Sequence, residues 1–437
     1  MASAKTNLKG RTVYVVDGGR TPFLRVMGPP GPFHASDLAV QAGRHILARQ
    51  PFEAEALDEV ILGCVASGPN EANIARIVAL RLGCGDQVPA WTVQRNCASA
   101  MQSLDCAATN IASGRSDLVL AGGTEAMSRH PLLLNEQMVA WLAGWNKARS
   151  AKGRMQQLAQ LRPAYFKPII ALLCGLTDPV AGLSMGQTAE ELAWKFDISR
   201  EEMDAYAAQS HQRLAAAQES GHLDEIESLY APDGTLYMAD EGLRADTTVE
   251  KLSQLRPFFD RTVGKVTAGN SSQITDGAAL LLLASHDAVR KYKLPVLGRI
   301  VDCQWAGLNP SHMGLGPVHA MAPILQRHAL SVADIDYWEI NEAFATQILA
   351  CLKAWTDSDY CREHLNQDQP FDPIDMARLN VDGGGVSIGH PVGTSGTRIV
   401  LHLLKVLERE NVHRGMASLC IGGGQGGAIL VERQEEK

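Results

Sequence analysis

The sequence of 437 residues has no Cys-x-x-Cys pair, no long apolar run and no excess of basic residues. Its nine cysteines occur singly, so the ligand framework of a zinc or iron–sulfur site is missing and no metal is expected. The first residues lack the apolar run of a signal peptide, and no stretch is long enough to predict a transmembrane helix. A net charge of −8 argues against a nucleic-acid-binding protein. Together these absences predict a cytoplasmic enzyme with reduced thiols.

What is present is typical of a large α/β protein. Hydrophobic residues make up 46% of the chain, enough for a sizeable core. Apolar runs rich in Val, Ile and Leu alternate with helical patterns, which predicts a buried sheet covered by helices. The predicted strands are Arg11–Val16, Val60–Ala66, Trp91–Gln94, Leu118–Ala121, Val296–Asp302, Tyr337–Ile340, Leu379–Val381, Ala417–Ile421 and Ala428–Val431.

The two ends of the chain repeat one pattern. Residues 96–100 open a helix of mostly small residues that runs to Ser113, and residues 389–396 open another that runs to about Leu407. A short turn, a strand and a glycine-rich turn follow each helix. We therefore predict two similar α/β halves, residues 1–127 with 257–285 and residues 286–437, with reactive groups at matching helix entrances.

Residues 128–256 differ in character and are predicted to form a mainly helical inserted loop domain. Ser199 and Glu202 form a capping-box pattern, and Gly221 suits the end of the helix that follows.

A basic segment, Gln137–Thr177, lies inside this insertion. It contains no acidic residue, and Trp141 and Trp145 are spaced i, i+4. Its cations are Lys147, Arg149, Lys152, Arg154, Arg162 and Lys167. The segment is either a solvated basic face or a surface for CoA phosphates, anionic lipid or a partner protein.

Three residues are candidates for chemistry because of their surroundings. Most free cysteines are buried small hydrophobes, but Cys97 lies between a strand and a helix start, where the macrodipole favours the thiolate. His390 lies in a glycine-rich stretch and could take a proton from a thiol. Cys420 begins a glycine-rich turn at a strand end. The rival interpretation of that turn, a phosphate-binding loop, leaves no room for the following helix.

Six motifs in this sequence resemble those of the thiolases, in family order and over nearly the whole chain. They are Asn-Cys-Ala-Ser-Ala at 96–100, Gly-Gly-Thr-Glu-Ala-Met-Ser at 122–128, Thr-Ala-Gly-Asn-Ser-Ser at 267–272, Asn-Glu-Ala-Phe-Ala at 341–345, Gly-His-Pro-Val-Gly-Thr-Ser-Gly at 389–396 and Cys-Ile-Gly-Gly-Gly-Gln-Gly at 420–426. The resemblance implies the thiolase fold, with two halves layered α-β-α-β-α and an inserted loop domain. It also implies a homodimer or a dimer of dimers, acyl-CoA and CoA as substrates, and no cofactor.

The resemblance assigns a role to each matching residue. Cys97 is the acyl-accepting nucleophile, His390 the base that activates it and later the CoA thiol, and Cys420 the acid/base at the α-carbon. Asn341 holds a water in the first oxyanion hole. The N–H groups of Cys97 and Gly422 form the second oxyanion hole. Met185 and Ser272 match positions near the pantetheine arm of CoA.

The implied activity is thiolytic cleavage of 3-ketoacyl-CoA, or its reverse. Residues 146–167 resemble a piece of the β subunit of the trifunctional fatty-acid oxidation complex, which implies a hydratase/dehydrogenase partner. Those β subunits commonly have His where Asn341 stands, so a short-chain acetyl-CoA acetyltransferase stays open. Residues 355–378 look like an insertion of this branch, without an assigned role.

Two other classes fit less of the sequence. A 3-ketoacyl-ACP synthase would pair its cysteine with two histidines or with His and Asn, and Cys420 speaks against it. A non-enzymatic CoA or lipid carrier, or a purely structural subunit, would be expected to have lost one of the reactive residues.

Overall fold

A mixed sheet of ten strands runs through the molecule. The computed structural model describes residues 7–433, so the outermost residues of the two predicted halves lie outside the described part. Four further strands form two small separate sheets, β6 with β7 and β8 with β9. The strands are β1 Val13–Arg20, β2 Leu24–Arg25, β3 Glu59–Gly63, β4 Ala90–Val93, β5 Leu118–Ala126, β6 Leu132–Leu133, β7 Ile169–Ile170, β8 Leu229–Tyr230, β9 Leu236–Tyr237, β10 Thr275–Ser285, β11 Gly298–Gly307, β12 Tyr337–Ile340, β13 Arg414–Ile421 and β14 Gln425–Glu432.

Helices cover both faces of this sheet and fill the insertion. They are α1 Ala35–Ala48, α2 Ile74–Arg81, α3 Ser99–Ala112, α4 Glu136–Lys147, α5 Ala151–Ala159, α6 Ala171–Gly175, α7 Met185–Lys195, α8 Arg200–Ser220, α9 Val249–Ser253, α10 His286–Tyr292, α11 Gly316–His328, α12 Ala345–Thr356, α13 Ser358–His364, α14 Gly385–Ile388 and α15 Ser395–Arg409. No helix within residues 7–433 is both long and apolar enough to cross a membrane.

The strand pairing confirms the two similar halves. In the first half, β1 pairs antiparallel with β10 and β10 with β5, and then β5, β3 and β4 run parallel. In the second half, β11 pairs antiparallel with β14 and β14 with β13, and β13 runs parallel with β12. An antiparallel pairing of β1 with β11 joins the halves into one sheet.

The buried side chains divide into the layers that the fold class predicts. One cluster packs α1 and α2 against the outer face of the first half, and a second packs α11 and α12 against the outer face of the second half. A third cluster encloses α3 and α15 between the inner faces of both halves. These two central helices touch, since a Cβ at Gly396 would lie 2.6 Å from the backbone nitrogen of Met101.

The predicted strands differ from the observed ones in two important places. The first is β10, the central strand of the first half, which none of the predictions covered. The strand predicted at Leu379–Val381 is wrong, because only Leu379 forms a parallel bridge, to Trp338. At Asn380 the chain turns with φ 48°, and its side-chain amide exchanges two hydrogen bonds of 2.9 Å with the backbone of Ile340. A side chain thus replaces the ladder that a strand would have made.

The insertion leaves the sheet after β5 and returns at β10, and it is mainly helical. Its longest helix, α8, begins at the predicted capping box, where Ser199 accepts from the backbone of Glu202 and Glu202 accepts from that of Ser199. Gly221 ends it with φ 70°.

The insertion-like residues 355–378 pack on the second half. Trp355 is fully buried and stacks on Phe371 with ring centroids 4.1 Å apart.

Candidate active site

Cys97 lies in the turn that joins β4 to α3. Asn96 adopts φ 43°, and Ser99 closes the turn by accepting from the backbone N–H of Arg95 at 2.9 Å. The side chain of Asn96 donates to the carbonyl of Gly422 at 2.8 Å, which ties this turn to the glycine-rich turn after β13. Cys97 is half-buried and precedes the first residue of the helix by two positions.

The thiol of Cys97 is not ionised by its position alone. Burial raises its pKa above the ordinary value of 9.0, and hydrogen bonds from the backbone N–H groups of Gly422 and of Cys97 itself offset only part of this. The N–H groups at the helix entrance do favour the thiolate, but burial outweighs them in the free protein. Proton removal needs a base.

His390 is the candidate for that base. It is buried, and burial together with the charge of Arg398 lowers its pKa to about 4, so the imidazole is neutral at neutral pH. Its Nδ1 lies 2.6 Å from the hydroxyl of Ser395. Since that hydroxyl donates to the carbonyl of Pro391, we assign the ring proton to Nδ1, which leaves Nε2 with a free lone pair.

His390 was expected at a helix start, but it lies in the loop between two helices. It follows the single turn of α14 and precedes α15 by several residues, and its backbone N–H donates to the carbonyl of Gln273 at 3.0 Å. Gly389 before it has φ 108°, and a Cβ there would lie 2.4 Å from the side chain of Thr275. The glycines in this stretch therefore allow the loop to lie directly against the start of β10.

Cys420 lies near the end of β13 and is buried. Burial raises its pKa well above 9.0, and the nearby thiols of Cys97 and Cys351 raise it further. It is therefore protonated in the resting protein and can donate a proton. The turn after β13 brings the backbone N–H of Gly422 to the sulfur of Cys97, and the two thiols lie close enough for their charges to interact.

Asn341 follows β12 and lies beside His390, with its side-chain nitrogen 3.5 Å from both ring nitrogens. It is fully buried, and its side-chain oxygen has no hydrogen-bond partner among the described residues. A buried amide oxygen left alone costs about 1–3 kcal/mol. Such an oxygen is suited to hold a water or a substrate group.

The two predicted substrate-binding residues each contact a segment that carries another predicted site residue. Met185 starts α7, and its sulfur would be 3.3 Å from a Cβ at Gly422. The backbone N–H of Ser272 donates to the carbonyl of Ala343 at 2.9 Å, two residues after Asn341. All seven predicted site residues thus belong to segments that meet around Cys97, His390 and Cys420.

Sequence reasoning missed two groups near this site. Burial lowers the pKa of Arg244 and the nearby charge of Arg25 lowers it further, while the carboxylate of Asp246 offsets part of this. Two like charges held together are relieved by an anion. The chain just before Arg244 packs against the segment that leads to His390, because a Cβ at Gly242 would lie 2.7 Å from the carbonyl oxygen of Ile388. Isolated arginines in a polar loop carry no sequence signal.

Glu342 is the second missed group. It follows Asn341 in the chain, and its carboxylate is fully hydrogen-bonded within the core.

Comparisons with known proteins agree with this arrangement. Family models for the thiolase N-terminal domain and the thiolase C-terminal domain match residues 13–287 and 294–433. A 3-ketoacyl-CoA thiolase of Yersinia pestis is 34% identical over 427 residues, 97% of both chains. The chain belongs to the thiolase family. It is an acyltransferase with the thiolase fold.

Solved structures of similar proteins cover the chain almost completely. The human mitochondrial 3-ketoacyl-CoA thiolase in complex with CoA is 36% identical, with a TM-score of 0.83 over 99% of this chain and 100% of that one. The acetyl-CoA acetyltransferase of Bacillus anthracis is 35% identical, with a TM-score of 0.82 over 98% and 100%.

Proposed function

We propose that the protein cleaves 3-ketoacyl-CoA with CoA to give acetyl-CoA and a shortened acyl-CoA, or catalyses the reverse Claisen condensation, through an acyl-thioester on Cys97. The observation that carries this proposal is that the protonated thiols of Cys97 and Cys420 lie close together. Asn341 links the neutral imidazole of His390 to them, because it lies beside that ring and its backbone N–H donates to Ser418, two residues before Cys420. A nucleophile, a base and a separate proton donor are what the reaction requires.

In the first half-reaction, Nε2 of His390 takes the proton of Cys97, and the thiolate attacks the 3-keto carbon. The bond between the α-carbon and the keto carbon then breaks, leaving the acyl group on sulfur and acetyl-CoA as an enolate. Cys420 gives its proton to the α-carbon. The proton held by His390 then passes to the Cys420 thiolate, which returns both groups to their starting states. In the second half-reaction His390 takes the thiol proton of a new CoA, the CoA thiolate attacks the acyl-thioester, and the departing sulfur of Cys97 takes that proton back from His390.

Hydrogen-bond donors are available for the negative charge that forms on oxygen in both steps. The N–H groups of Cys97 and Gly422 already point at the sulfur, which suits an oxyanion on the attached acyl carbon. Asn341 would hold a water for the enolate oxygen, and its unsatisfied side-chain oxygen supports that role. Removing one such donor in other enzymes costs about 2.7–4 kcal/mol.

CoA is a substrate here, and we propose no cofactor. Arg25 and Arg244 are suited to its phosphates, and Met185 and Ser272 to its pantetheine arm. Cytoplasmic location is also proposed, and the nine free cysteines support it.

The second candidate is a short-chain acetyl-CoA acetyltransferase that makes acetoacetyl-CoA, because two similar solved structures are acetyl-CoA acetyltransferases. The test is thiolysis of a chain-length series of 3-ketoacyl-CoA substrates, followed as loss of the enolate absorbance. A rate maximum at longer chains supports the degradative function, and activity on acetoacetyl-CoA alone supports the second candidate. No thiolysis of any member would contradict both and favour a carrier.

We further propose a homodimer or dimer of dimers, with β4 available for pairing because it is one of the two edge strands of the ten-stranded sheet. Light scattering of the purified protein measures the oligomer directly, and a monomer would contradict the proposal.

The basic segment is the proposed contact for a hydratase/dehydrogenase subunit. Trp141 and Trp145 stack on each other 5.6 Å apart and hold α4 against α5, so they are half-buried and do not form the outer surface. The exposed surface instead carries the cations with apolar side chains such as Met155 and Phe166, 67% and 62% exposed.

A charge-removal variant tests this contact. Replacing Lys147, Arg149, Lys152 and Arg154 by Gln should weaken binding to such a subunit and leave thiolysis of acetoacetyl-CoA within a few-fold. Loss of sedimentation with anionic vesicles instead would show a membrane surface, and a large rise in KM for CoA would show a phosphate site.

A further inference from the structure

A buried carboxylate without a cation lies directly beside the proposed catalytic residues. Glu342 is 1% exposed, and among residues 7–433 no Lys, Arg or His side chain forms an ion pair with it. Burying a carboxylate in this way is costly unless hydrogen bonds replace its water. Its position therefore calls for a function that an apolar side chain could not supply.

Four hydrogen bonds replace that water, and they come from three separate segments. Tyr206 and Asn380 donate to one carboxylate oxygen at 2.9 and 3.1 Å. Ser210 and the backbone N–H of Val386 donate to the other at 2.7 and 3.2 Å. Tyr206 and Ser210 stand one turn apart on α8 of the insertion.

The segment that carries His390 is also packed directly onto Glu342. A Cβ at Gly384 would lie 2.5 Å from the Glu342 carboxyl carbon, and one at Gly385 would lie 2.6 Å from its backbone oxygen. The same Cβ at Gly385 would be 3.4 Å from the side-chain oxygen of Asn341. Glu342 thus holds the start of α14 against Asn341, its neighbour in the chain.

We infer that Glu342 is a positioning residue, which sets His390 and Asn341 relative to each other and links them to the insertion through α8. It touches neither thiol. Its effect is on geometry, and a misplacement of about 1 Å at a reacting centre can cost roughly 100-fold in rate. This inference rests on the proposed thiolase function.

Glu342→Gln is the informative substitution because it keeps shape and removes one acceptor. Whichever way the amide turns, its NH2 group faces a fixed N–H donor, either that of Val386 or that of Asn380. We expect kcat for acetoacetyl-CoA thiolysis to fall roughly 10- to 100-fold, with KM for CoA changed less than about threefold.

Glu59→Gln is the matched control. Glu59 is also a buried carboxylate, 7% exposed, and it accepts from two neutral side chains, Trp91 and Asn110. It lies at the end of β3 away from Gly63, which packs on Ser99. Urea unfolding of both variants separates loss of stability from loss of positioning. Glu59→Gln should keep the wild-type kcat even though its free energy of unfolding falls by an amount similar to that of Glu342→Gln.

The outcomes distinguish the inference from the proposed function. If the wild-type protein catalyses no thiolysis, the proposed function is overturned. If the wild-type protein is active and Glu342→Gln has the same kcat, the positioning role is overturned. Equal loss of kcat in both Gln variants would show a purely structural effect and also overturn it. If Glu342→Gln does not fold, Ser210→Ala removes one donor only, and an unchanged kcat in that variant overturns the inference.

Discussion

The neutral imidazole of His390 makes the acid side of the pH–activity profile a direct test of the site. Burial, with the charge of Arg398, lowers its pKa from 6.5 to about 4. That gap corresponds to roughly 3 kcal/mol between the two protonation states. At pH 6 an unperturbed histidine would be mostly protonated, whereas this one would be about 1% protonated and still able to act as a base.

We therefore expect kcat/KM to hold from neutral pH down to about 5, and to fall by half near pH 4. Loss of the 3-ketoacyl-CoA should be followed by chromatography, because the absorbance of the substrate enolate itself changes with pH. Circular dichroism at each pH controls for unfolding. An acid limb centred near 6.5 with the fold intact would contradict the assigned state of His390.

Four further predictions follow from the same contacts. Cys97→Ser should abolish thiolysis and leave the fold intact, since an alcohol is far less acidic than a thiol, and wild-type-like turnover would contradict the nucleophile. Cys420→Ala should block exchange of the α-protons of acetyl-CoA while Cys97 is still acylated, and exchange at the wild-type rate would exclude the proton-donor role. Ser395→Ala, which removes the acceptor of the His390 Nδ1 proton, should lower kcat, and an unchanged kcat would contradict the tautomer. Burial lowers the pKa of His402, but the carboxylates of Glu225 and Asp382 outweigh it and raise this pKa to about 10. Protonated His402 therefore stabilises the fold fully below pH 6.5, and this stabilisation is lost as the pH rises through 10. In urea unfolding, the free energy of unfolding of His402→Gln should lack that loss at alkaline pH.

The motifs that carry the chemistry were readable from the sequence because each needs particular residue types at fixed spacing. Cys97 follows from a strand–turn–helix pattern, and Cys420 from its position at a strand end before a glycine-rich turn. The central strand β10 was not found, because its run of Leu and Ala favours a helix in isolation. Burial on both faces of the sheet overrides that preference, as all eleven of its residues are buried.

Other features depend on contacts between distant parts of the chain. The prediction at Leu379–Val381 failed because the side chain of Asn380 takes over the pairing with Ile340. The four donors to Glu342 and the pairing of Arg25 with Arg244 likewise arise only in the fold. The pKa of Cys97 was expected to fall at a helix entrance, but the burial that raises it is a property of the assembled site.

The most direct test of the proposed mechanism is to identify the cysteine that carries the acyl group. The protein would be incubated with acetyl-CoA in the absence of free CoA or any other thiol, quenched in acid and digested. The mass of each cysteine-containing peptide would then be measured by mass spectrometry. The mechanism predicts the added mass of one acetyl group on the peptide containing Cys97, and none on those containing Cys420 or the exposed Cys174. An acetyl group on another cysteine, or active thiolysis with no acyl group on Cys97, would contradict it.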